Sequence, residues 1–296
     1  MLDIVSDEQV KEILNIKNEK GETILKEDVS TLPLVEVTSL PSEFKGYPKG
    51  TKISYAPLTL GELEALNSGT MDLTRGSAML INSIKCNTLS SHNLYYWDVM
   101  YIGIQRKLLA FGDTRGVLYN QCSNCGDIIE HEFSYTEIEF DLIKAPDLPI
   151  ITEIAGEKLE FSAITMKDFL EINEDEGELG VYARMIKNKS YDEALSLLKN
   201  CYGKDSKKVK FIDKQLQYGL KPFKVKCENE IEVTNPNYDP KKKNSKPKIK
   251  EQCNTEVMME VRSPFEVVFP ENSDNIDYDF EIQYGREYFM FNFRSR

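Results

Sequence analysis

Histidine is nearly absent from this 296-residue chain, which has only His92 and His131, together with a single tryptophan, Trp97. Neither histidine stands in a recognisable nucleophile setting, so hydrolytic triads lack a base. The phosphate-cradling patterns GxxxxGK(S/T) and GxGxxG are missing, and so is HExxH. No stretch approaches 18 consecutive apolar residues, so no segment is expected to span a membrane. The opening MLDIVSDEQVKEIL carries early acids where a signal peptide carries bases, and a soluble protein made in a reducing compartment is expected. Positive charge is short as well: 37 Lys and Arg against 49 Asp and Glu leave a net charge of −12. That balance argues against a general nucleic-acid binder, which needs a basic surface to displace phosphate counterions. Six cysteines are too few for a disulfide framework in a chain this long, and their spacing reads as metal chemistry. With so many acids chance carboxylate pairs are inevitable, and none is given an acid–base role. An enzyme is not expected.

What is present supports a real core: 41% hydrophobic and 10% aromatic residues, enough for one large domain or two ordinary ones. The strongest internal signal is self-similarity. Lys52 to Asn67 reads KISYAPLTLGELEALN, and Lys158 to Asn173 reads KLEFSAITMKDFLEIN. Both open with an alternating strand pattern, Ile53 and Tyr55 in one, Leu159 and Phe161 in the other. Each passes through Leu58 or Ile164 to a threonine followed three residues later by an acid. Thr59 with Glu62, and Thr165 with Asp168, predict helix N-caps. Met79 and Leu80 recur as Met185 and Ile186, and Lys107, Leu109, Phe111 and Gly112 recur as Lys214, Leu216, Tyr218 and Gly219. The two glycines are expected to terminate helices. The expected fold class is therefore α+β, with two diverged strand-helix-hairpin repeats joined by a zinc-ribbon-like four-cysteine site. The expected organisation is an N-terminal arm over 1–40, repeat one over 41–146, repeat two over 147–270 and an aromatic tail over 271–296. A short helix is expected from Ser6, with Val10, Ile13 and Leu14 on one face. Helical spacing predicts Tyr96, Trp97, Met100 and Ile104 on one helix.

Each repeat runs into cysteines. Cys122 and Cys125 form CSNCG, a knuckle in which two thiolates converge on one ion while backbone amides face the sulfurs. The second half offers Cys227 in VKCEN and Cys253 in EQCNTEV, separated by a segment containing the lysine-rich NPNYDPKKKNSKPKIK. The simplest reading is a second CxxC knuckle with about two dozen residues inserted at its tip, which loop-closure entropy tolerates. One structural zinc on Cys122, Cys125, Cys227 and Cys253 is the resulting expectation. A redox CxxC, metal-free thiols, and His131 replacing a cysteine stay open as alternatives. Cys86 and Cys201 are expected in helical core positions, and the lysine run is expected to be an exposed loop.

Several strings together resemble the baseplate hub and hub-assembly proteins of contractile-tailed bacteriophages of the T-even type. They are LPSEFKGYPKGTKISYAPLTLGELEALN, YYWDVMYIGIQRKLLAFG, CSNCG and FEVVFP, and the resemblance covers roughly residues 33–270. Leu40, Pro41, Ser42, Tyr47, Leu58, Thr59, Glu62, Phe111, Gly112, Cys122 and Cys125 occupy the family's motif places. Glu43-Phe44-Lys45 before Gly46 makes the first motif longer than the family's, and the second knuckle is split. The resemblance implies a virion protein of the tail baseplate, in the host cytoplasm during assembly, working through contacts with other tail and baseplate proteins. It implies an oligomer set by assembly symmetry; from composition no membrane partner is expected, and the net charge argues against nucleic acid. An assembly chaperone absent from the finished particle, or a zinc-ribbon nucleic-acid adaptor, are the other readings. The aromatic tail, with Tyr284, Tyr288, Phe289, Phe291 and Phe293, suits strand addition to a partner sheet or packing on the chain's own core.

Overall fold

A computed structural model describes residues 33–59, 61–62, 73–112, 115–172, 176–236 and 247–259. The helix expected from Ser6, the lysine-rich tip at 237–246 and the aromatic tail lie outside the described residues. The fold is α+β, helices combined with small antiparallel sheets. It divides into two compact units, one from described residues of 33–112 and 140–220, the other from 115–139 and 221–259. Each unit draws on both halves of the sequence.

In the larger unit, β1 (Val35–Glu36), β2 (Ile53–Tyr55) and β3 (Ile84–Cys86) form one antiparallel sheet in that order. Helix α1 (Leu73–Ser83) runs directly into β3. Past β2, the Glu62 amide donates to Thr59 Oγ1 at 3.1 Å and the Thr59 amide to Glu62 Oε2 at 2.9 Å, a reciprocal cap of the kind the sequence predicts. The buried Arg106, on α2 (Tyr96–Phe111), grips both Glu62 oxygens at 2.7 and 2.8 Å and also donates to the Ala56 and Pro57 carbonyls. Gly112, at φ 69°, closes α2 with an amide bond to the Leu108 carbonyl, and Tyr96, Met100 and Ile104 are buried along that helix.

Helices follow a strand in the same way further on. A hairpin of β7 (Ile150–Ile154) and β8 (Glu157–Phe161) turns through Ala155 and Gly156, both left-handed, as a two-residue hairpin turn demands. Thr165 and Asp168 then cap α3 (Met166–Leu170) with the same pair of bonds, 2.9 and 3.1 Å, as Thr59 and Glu62. Next come α4 (Glu178–Met185), α5 (Tyr191–Lys199) and α6 (Lys204–Leu216). Leu159, Phe161, Ala183, Ile186, Leu198 and Ile212 meet in one buried cluster. Backbone bonds from Tyr96 to the Ile164 carbonyl (2.9 Å) and from Met166 to the Leu94 carbonyl (2.8 Å) stitch the two sets of helices together.

Two details differ from the sequence expectation. Ala56 donates to the Ser83 carbonyl as Ser162 donates to the Met185 carbonyl, both at 2.8 Å, so Ser83 rather than Met79 stands where Met185 stands. The stretch from the capping threonine to this residue is four residues longer in the first case, 59–83 against 165–185. Gly219 does not end a helix. It opens β9 (Gly219–Leu220), which pairs with β6 (Phe140–Asp141), at φ 128°. Its backbone lies against the indole of Trp97, where a Cβ would sit 2.4 Å from the ring.

The LPS and GY residues act together around one buried acid. The Ser42 amide and hydroxyl donate to Asp98 at 3.0 and 2.5 Å, and the Tyr47 hydroxyl adds a third bond at 2.7 Å. Tyr47 in turn accepts from the Tyr95 amide at 2.8 Å, and its ring stacks on Tyr95 at 4.8 Å. Gly46 lets the chain pass here at φ 77°, because a Cβ would fall 2.1 Å from the Tyr95 hydroxyl. Burial pushes the Asp98 carboxyl up to about 6, against the Ser42 and Tyr47 hydrogen bonds that lower it.

The smaller unit consists of antiparallel strand pairs. Strand β4 (Arg115–Gln121) pairs with β5 (Ile128–Ser134), β10 (Phe223–Lys226) with β13 (Glu256–Met259), and β11 (Glu230–Thr234) with β12 (Lys248–Gln252). Alternation puts Leu118, Ile129, Phe133, Val257 and Met259 inside. Asn120 Nδ2 reaches the Met258 carbonyl at 2.7 Å and ties the first hairpin to β13.

Candidate metal centre

The β4–β5 turn and the β10–β13 ends carry the four cysteines that the sequence singles out. Cys122 follows β4, and Cys125 precedes Gly126, whose φ of 79° folds the loop back. The Cys122 amide donates to the Asp127 carbonyl at 2.9 Å, and the Gly126 amide returns to the Cys122 carbonyl at 2.8 Å. Cys227 follows β10, and Cys253 precedes Asn254, which also has a positive φ of 51°. Here the Cys227 amide donates to the Thr255 carbonyl and the Asn254 amide to the Cys227 carbonyl, both at 2.9 Å. Residue for residue this is the first pattern, with the β11–β12 hairpin leaving and re-entering between the cysteines. The Cys253 amide closes the base of that hairpin on the Asn229 carbonyl at 2.8 Å.

All four sulfurs lie within 4.8 Å of one another, with Cys122–Cys253 and Cys125–Cys227 at 3.6 Å. A tetrahedral ion with sulfurs at about 2.3 Å has sulfur–sulfur edges of about 3.8 Å, so the spacing fits four-thiolate coordination. It is far from the roughly 2.05 Å of a disulfide, and the cysteines are free thiols.

Donors surround the sulfurs. The Cys125 and Asn124 amides lower the pKa of Cys122. At Cys253, the Thr255 hydroxyl 3.2 Å away and the Asn124 side-chain amide at 3.2 Å bring the thiol down to about 6. At Cys125 the Asp127 amide works in the same direction, but burial and the neighbouring Cys227 and Cys122 sulfurs override it and push the thiol up to about 12. Burial likewise raises Cys227, against the Asn229 amide. Four sulfurs this close cannot all ionise by themselves, whereas a divalent cation among them favours four thiolates. The donor set is compatible with a structural metal.

The remaining sequence candidates fall elsewhere. His131 lies on β5, half-buried, its ring 5.2 Å from that of Phe223. Cys86 is on strand β3 instead of a helix, because the apolar run from α1 turns straight into the sheet, and it is half-buried. Cys201 follows α5 and packs against the buried cluster. The sequence reading missed Asn124 and Thr255 as hydrogen-bond partners of the Cys253 sulfur. Their signal was a small polar residue inside or just after each knuckle, a weak one, since such residues are common in turns.

Comparison with protein-family models, with curated proteins and with solved structures finds no match for this chain. No helix among the described residues is long and apolar enough to cross a membrane.

Proposed function

We propose that the chain is a structural component of a contractile phage tail baseplate, working by protein–protein contact, with one structural zinc on Cys122, Cys125, Cys227 and Cys253. The observation that supports the non-catalytic reading is the donor set: four cysteine sulfurs within 4.8 Å of one another would complete a tetrahedron around zinc and leave no open position for water or substrate. The phage assignment is supported by the motif resemblance, and the buried Ser42–Tyr47–Asp98 cluster supplies a physical reason for the LPS and GY residues to occur together.

The matching bonds of the two knuckles and of the two threonine caps support an ancient tandem duplication, with the smaller unit as a zinc-ribbon formed from one hairpin of each copy. Zinc binding is then folding free energy for a unit whose two hairpins are far apart in sequence.

Protein contact is favoured over nucleic-acid binding by the smaller unit's surface. Lys224, Lys248 and Lys250 each face a glutamate across the strands, Glu256, Glu232 and Glu230 respectively, at 2.9 to 3.4 Å. Val117, Tyr119, Ile128 and Met258 are exposed, apolar surface of the kind that partner proteins cover.

The test is affinity capture of the full chain from its native source, followed by mass spectrometry. Recovery of contractile-tail baseplate proteins supports the reading, and a partner set without tail proteins overturns it. Presence in finished particles separates a baseplate component from an assembly chaperone.

A further inference from the structure

The larger unit holds a second feature that the metal site does not use. Helices α2, α4 and α6 leave between them a cavity of about 70 Å³, several times the roughly 10–15 Å³ that one water requires. It is lined by the aromatic residues Tyr96, Trp97 and Tyr218, by Leu216 and Met185, and by one acidic residue, Asp213. Tyr96 and Trp97 meet edge to face at 4.9 Å, and the Gly219 backbone lies against the indole. Trp97 and Met185 are only partly buried, which opens the cavity toward solvent.

Asp213 differs from three other buried charges of this unit, Arg106, Arg184 and Asp98. Arg106 meets Glu62, Arg184 meets Glu176 and Glu171, and Asp98 receives three hydrogen bonds. Asp213 is 8% exposed and accepts one bond, from the Gln217 amide at 2.9 Å, and among the described residues it forms no ion pair. Burial raises the Asp213 carboxyl and the negative charge of Glu178 nearby adds to the rise, while the Gln217 bond and Lys214, without forming an ion pair, lower it. Burying a carboxylate without a cation is costly, and aromatic faces attract cations. Both features of the wall ask for one kind of guest.

We propose that this cavity is a docking pocket for a cationic side chain, the guanidinium of an arginine from a partner protein, held between the Trp97, Tyr96 and Tyr218 rings and neutralised by Asp213. Charge complementarity selects the occupant: a net charge of −12 favours a basic partner segment, and arginine combines a flat stacking face with several donors for one carboxylate. The pocket is independent of the zinc site and of the phage assignment.

Trp97 is the chain's only tryptophan, so its fluorescence reads the pocket directly. The full-length protein is titrated with N-acetyl-arginine amide and, in parallel, with the neutral isostere N-acetyl-citrulline amide. The expected result is a saturable emission change with the arginine probe that is at least about tenfold weaker with citrulline, and an equal weakening in Asp213→Asn. Equal responses to both probes, no saturable response to arginine, or an undiminished response in a folded Asp213→Asn protein would overturn the proposal. Should that variant fail to fold, the arginine–citrulline comparison in the unaltered chain still decides.

Discussion

The Cys227 amide is hydrogen-bonded to the Thr255 carbonyl at 2.9 Å, although a whole β-hairpin lies between the two residues in sequence. The same bond joins Cys122 to Asp127 across an uninterrupted knuckle. A thiol pair twenty-six positions apart therefore has the backbone of a CxxC turn. Hydrogen bonds of the turn, and not chain proximity, set the sulfur positions.

Excising the hairpin tests that equivalence. Replacing residues 228–252 by Ser-Asn turns the second site into a direct copy of the first, Cys-Ser-Asn-Cys. The expected outcome is a folded protein with unchanged metal content, measured by elemental analysis after gel filtration. Loss of metal would show that the hairpin itself holds Cys227 and Cys253 in place.

Thr255 is expected to tune the site without being a ligand. Its hydroxyl, 3.2 Å from Cys253 Sγ, favours the thiolate, so Thr255→Val raises the Cys253 pKa and lets protons compete better for sulfur. Metal affinity should fall about 10- to 100-fold, and acid release, followed with a chromogenic chelator, should move to higher pH. Full metal loading at saturating zinc should persist.

Asp98 and Asp213 make the larger unit's stability depend on pH in the direction opposite to most carboxylates. Burial raises both from 3.8 to about 6, so between those values the folded chain holds protons that the unfolded chain has lost. Their contribution is fully present below 3.8 and is lost as pH rises through 6. Asp213→Asn keeps an acceptor for Gln217 and removes the buried charge. Denaturant unfolding at pH 7 should show it more stable by about 1–2 kcal/mol, with no gain at pH 4.

How much of this was legible in the sequence depended on whether the signal was local. The Thr59–Glu62 and Thr165–Asp168 caps could be read because a capping box spans four residues and its chemistry is fixed by residue type. The four cysteines could be read because two matching strand patterns flank them. The expected offset of 106 missed at Met79 because the stretch from Thr59 to Ser83 is four residues longer than that from Thr165 to Met185, a difference no short motif reveals. The role of Gly219 was hidden, since what forbids a side chain there is Trp97, more than a hundred residues away. Asp98 and Asp213 were invisible among 49 acids for the same reason: burial and partners belong to tertiary packing.

The most direct measurement is metal content of the purified full chain beside its four single Cys→Ser variants at 122, 125, 227 and 253. A single ion shared by both turns predicts one zinc per chain in the parent and the same loss in every variant. Zinc retained after Cys227→Ser and Cys253→Ser, or a metal-free parent protein, would contradict it.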